Sequence, residues 1–240
     1  MQSSAIADDE IQRLASLQGL KILDTPLEAR FDRITLTALR MFKVSISTIT
    51  LVDSNREWYK SCHGVSERER DRMISFCGHA ILTNDILVID DTKKDNRFAD
   101  NPMVAGPPYI RFYAGVPIHS IDGKKVGVFC IKDTKPIKLT EGETYLLQTL
   151  ASWAEVELNI NELTHILDSF RKGRMQSVDK DRIGVLLNRL LHRDIIDNLR
   201  SLRVGFNMTI SEDEKVKYGI NEDMFDHLEQ LIFDTQKVYS

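Results

Sequence analysis

The feature that most constrains this chain is a pair of strand-like runs, Arg111–His119 and Lys125–Lys132, on either side of Ile121-Asp122-Gly123. Asp-Gly tolerates the positive φ that a tight hairpin needs, so the spacing predicts two central antiparallel strands. A second hairpin is expected earlier. Val44–Val52 is rich in β-branched residues, and Asn55 marks the turn into Glu57–Cys62. Before them, Ile11, Leu14, Leu17 and Leu20 recur at helical spacing behind Asp8-Asp9-Glu10, whose carboxylates suit a helix N-terminus, and Pro26 stops that element. A second helix is expected over residues 28–42 with Phe31, Ile34, Leu36, Leu39 and Phe42 as its apolar stripe.

Between the hairpins the pattern loosens. A charged run, Glu67–Arg72, precedes Phe76–Leu82, which reads as a short buried helix, and Ile86–Ile89 reads as a short strand. Residues 90–108 hold Asp, Asn, Gly and Pro throughout with no periodicity. An irregular segment of that size inside a compact domain usually has a task, here expected to be that of a pocket lid. After the second hairpin a long helix starts at Thr140, with Glu143 as its capping-box partner. Leu147, Ala151, Ala154 and Leu158 form one stripe. Leu146, Leu150, Trp153, Ile160 and Leu167 form another, like an imperfect coiled-coil seam. A homodimer through this 140–170 helix is expected, since a helix that packs both on its own sheet and on a partner needs two apolar faces.

Residues 170–178 are basic and contain Gly173, a hinge candidate. Further helices are expected over 179–204 and 221–238, with a charge of roughly +5 for 171–205 and roughly −5 for 211–240, so that an antiparallel pair is expected. The domain boundary is placed at 168, with 169–240 as a helical C-terminal appendage.

Composition excludes several classes. With 42% hydrophobic and 28% charged residues the 240-residue chain is neither disordered nor membranous, and no apolar run reaches a spanning length. The N-terminal stretch lacks a basic region followed by an apolar one, so no export signal is expected. Three scattered cysteines, Cys62, Cys77 and Cys130, read as reduced thiols of a cytoplasmic protein. A net charge of −4 argues against a nucleic-acid partner.

Local sequences sharpen the picture. Ile22-Leu23-Asp24-Thr25, Phe31-Asp32-Arg33-Ile34-Thr35, Leu51-Val52-Asp53, Trp58-Tyr59-Lys60-Ser61, Ser75-Phe76-Cys77-Gly78-His79-Ala80-Ile81, Asp95–Pro102 and Ile110-Arg111-Phe112-Tyr113-Ala114-Gly115 occur in that order. Together they resemble the bacterial GAF domains that precede histidine kinases and diguanylate cyclases, over roughly the first two-thirds of the chain. The resemblance implies an α/β (α+β) PAS-like GAF fold, a central antiparallel sheet with helices on one face and a ligand cavity under loops on the other. It implies sensing and signal relay, with a small-molecule ligand it leaves unnamed and a signalling output partner.

The candidate pocket residues are Phe76, Cys77, His79, Asp90, Phe98, Arg111 and Tyr113. Cys77 and His79 would offer a thiol and an imidazole; the plainer reading is a packed thiol and an imidazole bonded to backbone. Alternation sends Arg111 and Tyr113 to one strand face, suited to an anionic or aromatic ligand, unless Arg111 instead holds the loop through Asp90, Asp95 or Asp100. No metal is expected, because neither Cys-His pair has a chelating C-x₂-C spacing, and no cofactor is indicated. Ser61-Cys62-His63 has the dipeptide to which phytochromes attach a bilin, but it ends the second strand, whereas the phytochrome cysteine lies late in the domain. No covalent chromophore is expected, and the signature residues of cyclic-nucleotide GAF domains are missing. His192 is the candidate phosphoacceptor, on a predicted helix with no ATP-binding motif elsewhere. No complete catalytic constellation is found, so the chain is read as not an enzyme. The alternatives are a thiol redox enzyme of the methionine sulfoxide reductase type using Cys77 with His79, disfavoured because the three cysteines form no evident attacking and resolving set, and a ligand-free dimerisation module.

Overall fold

Strand β1 (Ile46–Val52) is buried at all seven positions, as befits a central strand covered on both faces. The computed structural model describes residues 1–174 and 176–186. Strand β1 pairs antiparallel with β2 (Arg56–His63), and β5 (Phe112–His119) pairs with β6 (Lys125–Asp133), giving the two expected hairpins. At the second turn Gly123 has φ +84, the conformation the Asp-Gly step was expected to supply, and Ser120 N–H bonds Lys124 O at 2.9 Å. Pairing of β1 with β6 joins the hairpins. Two short edge strands, β3 (Glu69–Asp71) and β4 (Leu87–Ile89), complete a six-stranded antiparallel sheet in the order β3-β2-β1-β6-β5-β4. Strand β3 falls in the charged run, where its edge position leaves Glu69 and Asp71 in solvent with Arg70 partly buried between them, so no apolar periodicity marks it.

Helices α1 (Glu10–Gly19), α2 (Ala29–Phe42) and α5 (Glu141–Arg171) pack on one face around Leu17, Phe31, Ile49, Trp58, Phe129 and Leu147. The other face carries α3 (Phe76–Ala80), α4 (Pro102–Ala105) and a second core around Phe76, Phe98, Met103, Ile110 and Tyr113. Residues 1–174 make up one compact unit holding this whole sheet. Beyond it, 177–186 is helical. The rest of the expected helix over 179–204, the expected helix over 221–238 and His192 lie outside the described residues.

Two helices are rotated from their expected stripes. In α1, Ile11 is 83% exposed and Arg13 is buried instead. In α2 the buried face is Phe31, Ile34, Thr35 and Ala38, while Leu36 and Leu39 are only partly covered. The cause is polar. Thr35 Oγ1 lies 2.7 Å from Ser61 Oγ on β2, and Arg13 is drawn inward by a forked pair of 2.8 Å bonds to Glu10. Helix α5 begins as expected, with Thr140 and Glu143 capping each other through bonds of 2.8 and 3.2 Å. Its Leu147, Ala151, Ala154 and Leu158 stripe is buried, and Leu150, expected on the outer seam, is buried with it. Among the described residues no helix is long and apolar enough to cross a membrane.

Glu10 ties α1 to the sheet, accepting from Arg13 and, at 2.5 Å, from Arg72, which also donates to Asp53 O at 3.0 Å. Burial alone would raise its pKa; the hydrogen bonds from the two guanidinium groups overcome this and hold it at about 2, from an ordinary 4.5. Because the folded value is depressed, this stabilisation is present above the unfolded pKa and is lost as pH falls through the folded one. Glu10→Gln is expected to cost roughly 3 kcal/mol near neutral pH, since it leaves buried cations unpaired. In urea titrations at several pH values the deficit should shrink between about 4.5 and about 2.

Candidate functional site

Strands covered on both faces must place every polar side chain inside the protein, and here a cluster of them lies on the α3 face. Period two puts Thr48 and Thr50 of β1, Glu57 and Tyr59 of β2, and Cys130 and Lys132 of β6 side by side on that face. All are buried. In the pairing register Thr48 stands opposite Cys130, and Cys130 opposite Gly115. Lys60, next after Tyr59, falls on the other face, where its ammonium bonds Thr25 Oγ1 and Pro26 O at 2.8 Å, and a register shift in β2 between Ser61 and Tyr59 brings Ser61 to that same face, 2.7 Å from Thr35 Oγ1.

Helix α3 closes this face. Ser75 caps it, its hydroxyl accepting from Gly78 N–H at 2.9 Å and donating to Glu57. Tyr59 OH donates to the same carboxylate at 2.5 Å. The cap therefore sets Cys77 over the sheet, its sulfur 3.7 Å from that of Cys130 and accepting from Tyr113 OH at 3.5 Å. Thr48 Oγ1 lies 3.0 Å from Cys130 Sγ. The Lys132 ammonium lies 5.8 Å from the centre of the Tyr59 ring and forms no ion pair among the described residues.

These groups perturb one another. Burial disfavours a charge on Cys130, but the hydrogen bond with Cys77, the Lys132 charge and the Thr48 hydroxyl more than offset it and bring the thiol down to about 7. Cys77 moves the other way, pushed up by burial and by its Cys130 neighbour. Burial also works against the Lys132 charge, yet the sulfurs and Glu57 favour it and its pKa is raised. Tyr113 and Tyr59 are pushed up chiefly by burial and stay neutral.

Of the expected pocket residues, the structure brings Phe76, Cys77, Phe98 and Tyr113 into one cluster. Phe76 stacks on Phe98 at 4.5 Å and on Tyr113 at 5.1 Å. His79 meets Phe98 edge-on at 4.8 Å and its Nε2 lies 3.0 Å from Gln2 O, while burial lowers its pKa. This is the backbone-bonded imidazole of the plainer reading. Arg111 holds the loop, but through Asp91, with forked bonds of 3.0 and 2.9 Å, rather than through Asp90, Asp95 or Asp100. Asp90 is exposed and stands apart from the cluster; Asp95 pairs with Arg97.

Residues 90–108 are less irregular than expected. Asn101 caps α4 by accepting from Met103 N–H at 2.9 Å, and Thr92 bonds Ile110 O at 2.6 Å. Where a cavity was expected beneath this segment, Phe98, Met103, Val104 and Ile110 form a solvent-excluded core. Two clefts lie elsewhere among the described residues, one of about 360 Å³ between α2 and α5 and one of about 420 Å³ between the 6–9 segment, Leu82 and Lys125. Sequence reasoning missed Thr48, Thr50, Glu57, Ser75, Cys130 and Lys132. The available signal was period-two polar residues inside otherwise apolar strands.

Two substitutions probe this region, and a third in α1 serves as a control. A Cβ at Gly115 would sit 2.2 Å from Tyr113 OH, so Gly115→Ala is expected to displace the phenol from Cys77 and cost about 2 kcal/mol in a urea titration. Gly19→Ala, where nothing lies within 4 Å of the added methyl, should leave the midpoint near wild type. Arg111→Ala frees Asp91 and the segment it anchors, so limited proteolysis within 90–108 should accelerate several-fold, by roughly the population shift of one lost charged pair.

The GAF domain model matches residues 26–158, more than half of the chain. A cyclic di-GMP phosphodiesterase of Pseudomonas aeruginosa is 31% identical over 169 residues, which cover 70% of this chain and 29% of that protein. The chain thus spans less than a third of its curated relative. Among solved structures, the GAF domain of the Thermosynechococcus elongatus PixJ protein in its blue-light absorbing form is 17% identical, with 66% of this chain and 96% of that one covered at a TM-score of 0.49. The GAF domain of an Acinetobacter phosphoenolpyruvate-protein phosphotransferase is 19% identical, covering 63% and 93%, at 0.47. A free methionine-R-sulfoxide reductase of Neisseria meningitidis is 18% identical, covering 66% and 95%, at 0.46. With its six-stranded antiparallel sheet between two helical layers and the match over residues 26–158, the chain belongs to the GAF domain family.

Proposed function

We propose that this GAF domain is a sensory and regulatory module that works as a homodimer through α5 and receives its input, a small molecule or a conformational change, on the α3 face. The observation that carries the reading is the outer surface of α5. Trp153, Ile160 and Leu167 recur every seven residues along this 31-residue helix and remain 56%, 37% and 59% exposed. A seven-residue repeat of large apolar side chains is the pattern that pairs two helices, and a two-fold mate covers like stripe with like stripe. The cleft between α2 and α5, lined by Ile34, Thr37, Trp153 and Val156 with Arg30 and Glu157, runs beside the stripe and offers it room.

Input and output then occupy opposite faces of one sheet. Cys130 and Lys132 alternate along β6 with Phe129 and Ile131, which belong to the core beneath α5. A shift on the α3 face is therefore felt by the α5 face through a shared backbone, and the paired helices turn or slide in response. A small molecule entering the α3 face has to displace part of the Phe76, Phe98 and Tyr113 stack. The curated relative acts on cyclic di-GMP by its name; a module of such a signalling protein is the context this reading assigns.

A reductase using Cys77 with His79 is the weaker reading. The Cys77 thiol faces Cys130 and Tyr113, while the imidazole faces Gln2 and Phe98.

Sedimentation velocity of the full chain should report a dimer, and Trp153→Glu should weaken association at least tenfold with an unchanged far-ultraviolet spectrum, as expected for one central aromatic anchor worth about 2 kcal/mol. Truncation after Lys172 should preserve the dimer. A full-length monomer whose truncated form aggregates would show that the C-terminal segment covers the stripe instead. Native mass spectrometry of freshly purified protein, on the same samples, reads any bound small molecule directly.

A further inference from the structure

We propose that Cys77 and Cys130 form a dithiol site that a hydroperoxide oxidises to a disulfide. The two residues lie 53 positions apart in the chain, yet the sheet and the cap of α3 bring their sulfur atoms to 3.7 Å. A disulfide needs about 2.0 Å, so closure asks α3 and β6 to approach by less than the width of one atom. The surroundings differentiate the two sulfurs. Cys130 has the Thr48 hydroxyl at 3.0 Å and the Lys132 ammonium two residues along the same strand face. Cys77 has, among the described residues, the Tyr113 hydroxyl at the longer distance of 3.5 Å and the other sulfur. The charged and titratable groups facing the pair are Lys132 from β6, Glu57 and Tyr59 from β2, Arg70 from β3 and Tyr113 from β5. Their balance favours a thiolate on Cys130 and a thiol on Cys77.

The chemistry balances. The Cys130 thiolate attacks one peroxide oxygen; an S–O bond forms, the O–O bond breaks, and the departing oxygen takes a proton and leaves as an alcohol or water. Cys77 then gives up its proton and attacks the Cys130 sulfur, forming the S–S bond while the S–O bond breaks and its hydroxyl leaves as water. Two thiols and one hydroperoxide become one disulfide, one alcohol and one water, the sulfurs being oxidised and the peroxide oxygens reduced. Both sulfurs are buried, and the oxidant reaches them through opening of α3. That helix has five residues and is held by its Ser75 cap and by contacts such as His79 with Gln2. A helix so short gains little from its own hydrogen bonds and opens more readily than the strands beneath it. Closure of the disulfide would move Cys77 against the sheet and with it its neighbour Phe76, the centre of the aromatic stack.

The test uses the full-length, reduced protein and hydrogen peroxide as the oxidant. The free-thiol count should fall from three to one, the intact mass should fall by about 2 Da, and non-reducing peptide mapping should find Cys77 joined to Cys130, reversibly with dithiothreitol. Cys62→Ser, which leaves the pair intact, should still lose two thiols. The rate should drop about tenfold between pH 8 and pH 6 as the thiolate is protonated. Lys132→Met, with folding checked by circular dichroism, should slow it by a similar factor. Retention of all three thiols in the folded protein, a cross-link through Cys62, or a folded Lys132→Met protein that oxidises at the wild-type rate would each overturn the proposal. These readouts do not depend on dimerisation, so failure here and failure of the α5 interface are told apart.

Discussion

The pairing of β1 with β6 joins Ile46–Leu51 to Gly127–Lys132 across some eighty residues of chain, and the rest of the domain depends on it. Each hairpin alone has a local turn to close it, but neither buries enough surface to stand by itself. Once β1 and β6 are adjacent, two central strands are flanked on both sides, and each presents one row of side chains to α1, α2 and α5 and another to α3 and the 86–111 segment. The two cores share a single backbone layer. Gly127 is a point where that layer is tightest: a Cβ there would lie 2.3 Å from Thr50 O.

Burial on both faces decides the chemistry as well as the packing. Polar side chains on such strands cannot reach bulk water, so they are stabilised by partners inside. On the helix face Ser61 bonds Thr35 and Asp32 and so anchors α2, while Lys60 holds the Thr25-Pro26 turn. On the α3 face Glu57 takes the Tyr59 and Ser75 hydroxyls, and the helix cap is thereby tied to the sheet. Lys132 differs in having no carboxylate bonded to it among the described residues, and its charge acts on the sulfur pair beside it instead. The same buried dielectric that raises Cys77 and Tyr113 makes the Lys132 charge felt at Cys130.

Much of this architecture was legible in the sequence because its signals are local. The Asp122-Gly123 turn, the β-branched run of β1, the Thr140 and Glu143 capping box and the inner stripe of α5 each depend on residues a few positions apart, and each stands where expected. The aromatic part of the site was legible too, since Phe76, Phe98 and Tyr113 lie in the segments that resemble the family. Helix faces were less so. Ile11 lies outward instead of inward, because the alternative, burying Arg13 with Glu10 and Arg72, sets one carboxylate between two guanidinium groups. Asp91 rather than Asp90 receives Arg111, in a forked pair of bonds that uses both carboxylate oxygens.

What the sequence by itself determined is the strands and helices other than β3 and α4, the two hairpins and the family, all encoded by periodicity, turn chemistry and short motifs that act over neighbouring residues. What only the tertiary structure decided is which distant side chains share an interior. In the sequence Cys77 and Cys130 are scattered thiols with no evident relation, and the fold sets their sulfurs 3.7 Å apart. The segment 90–108 was read as a lid over a cavity, and its Phe98 and Met103 fill that space. Both outcomes follow from the register of β1 on β6 and the seating of α3, long-range contacts whose geometry no local pattern carries.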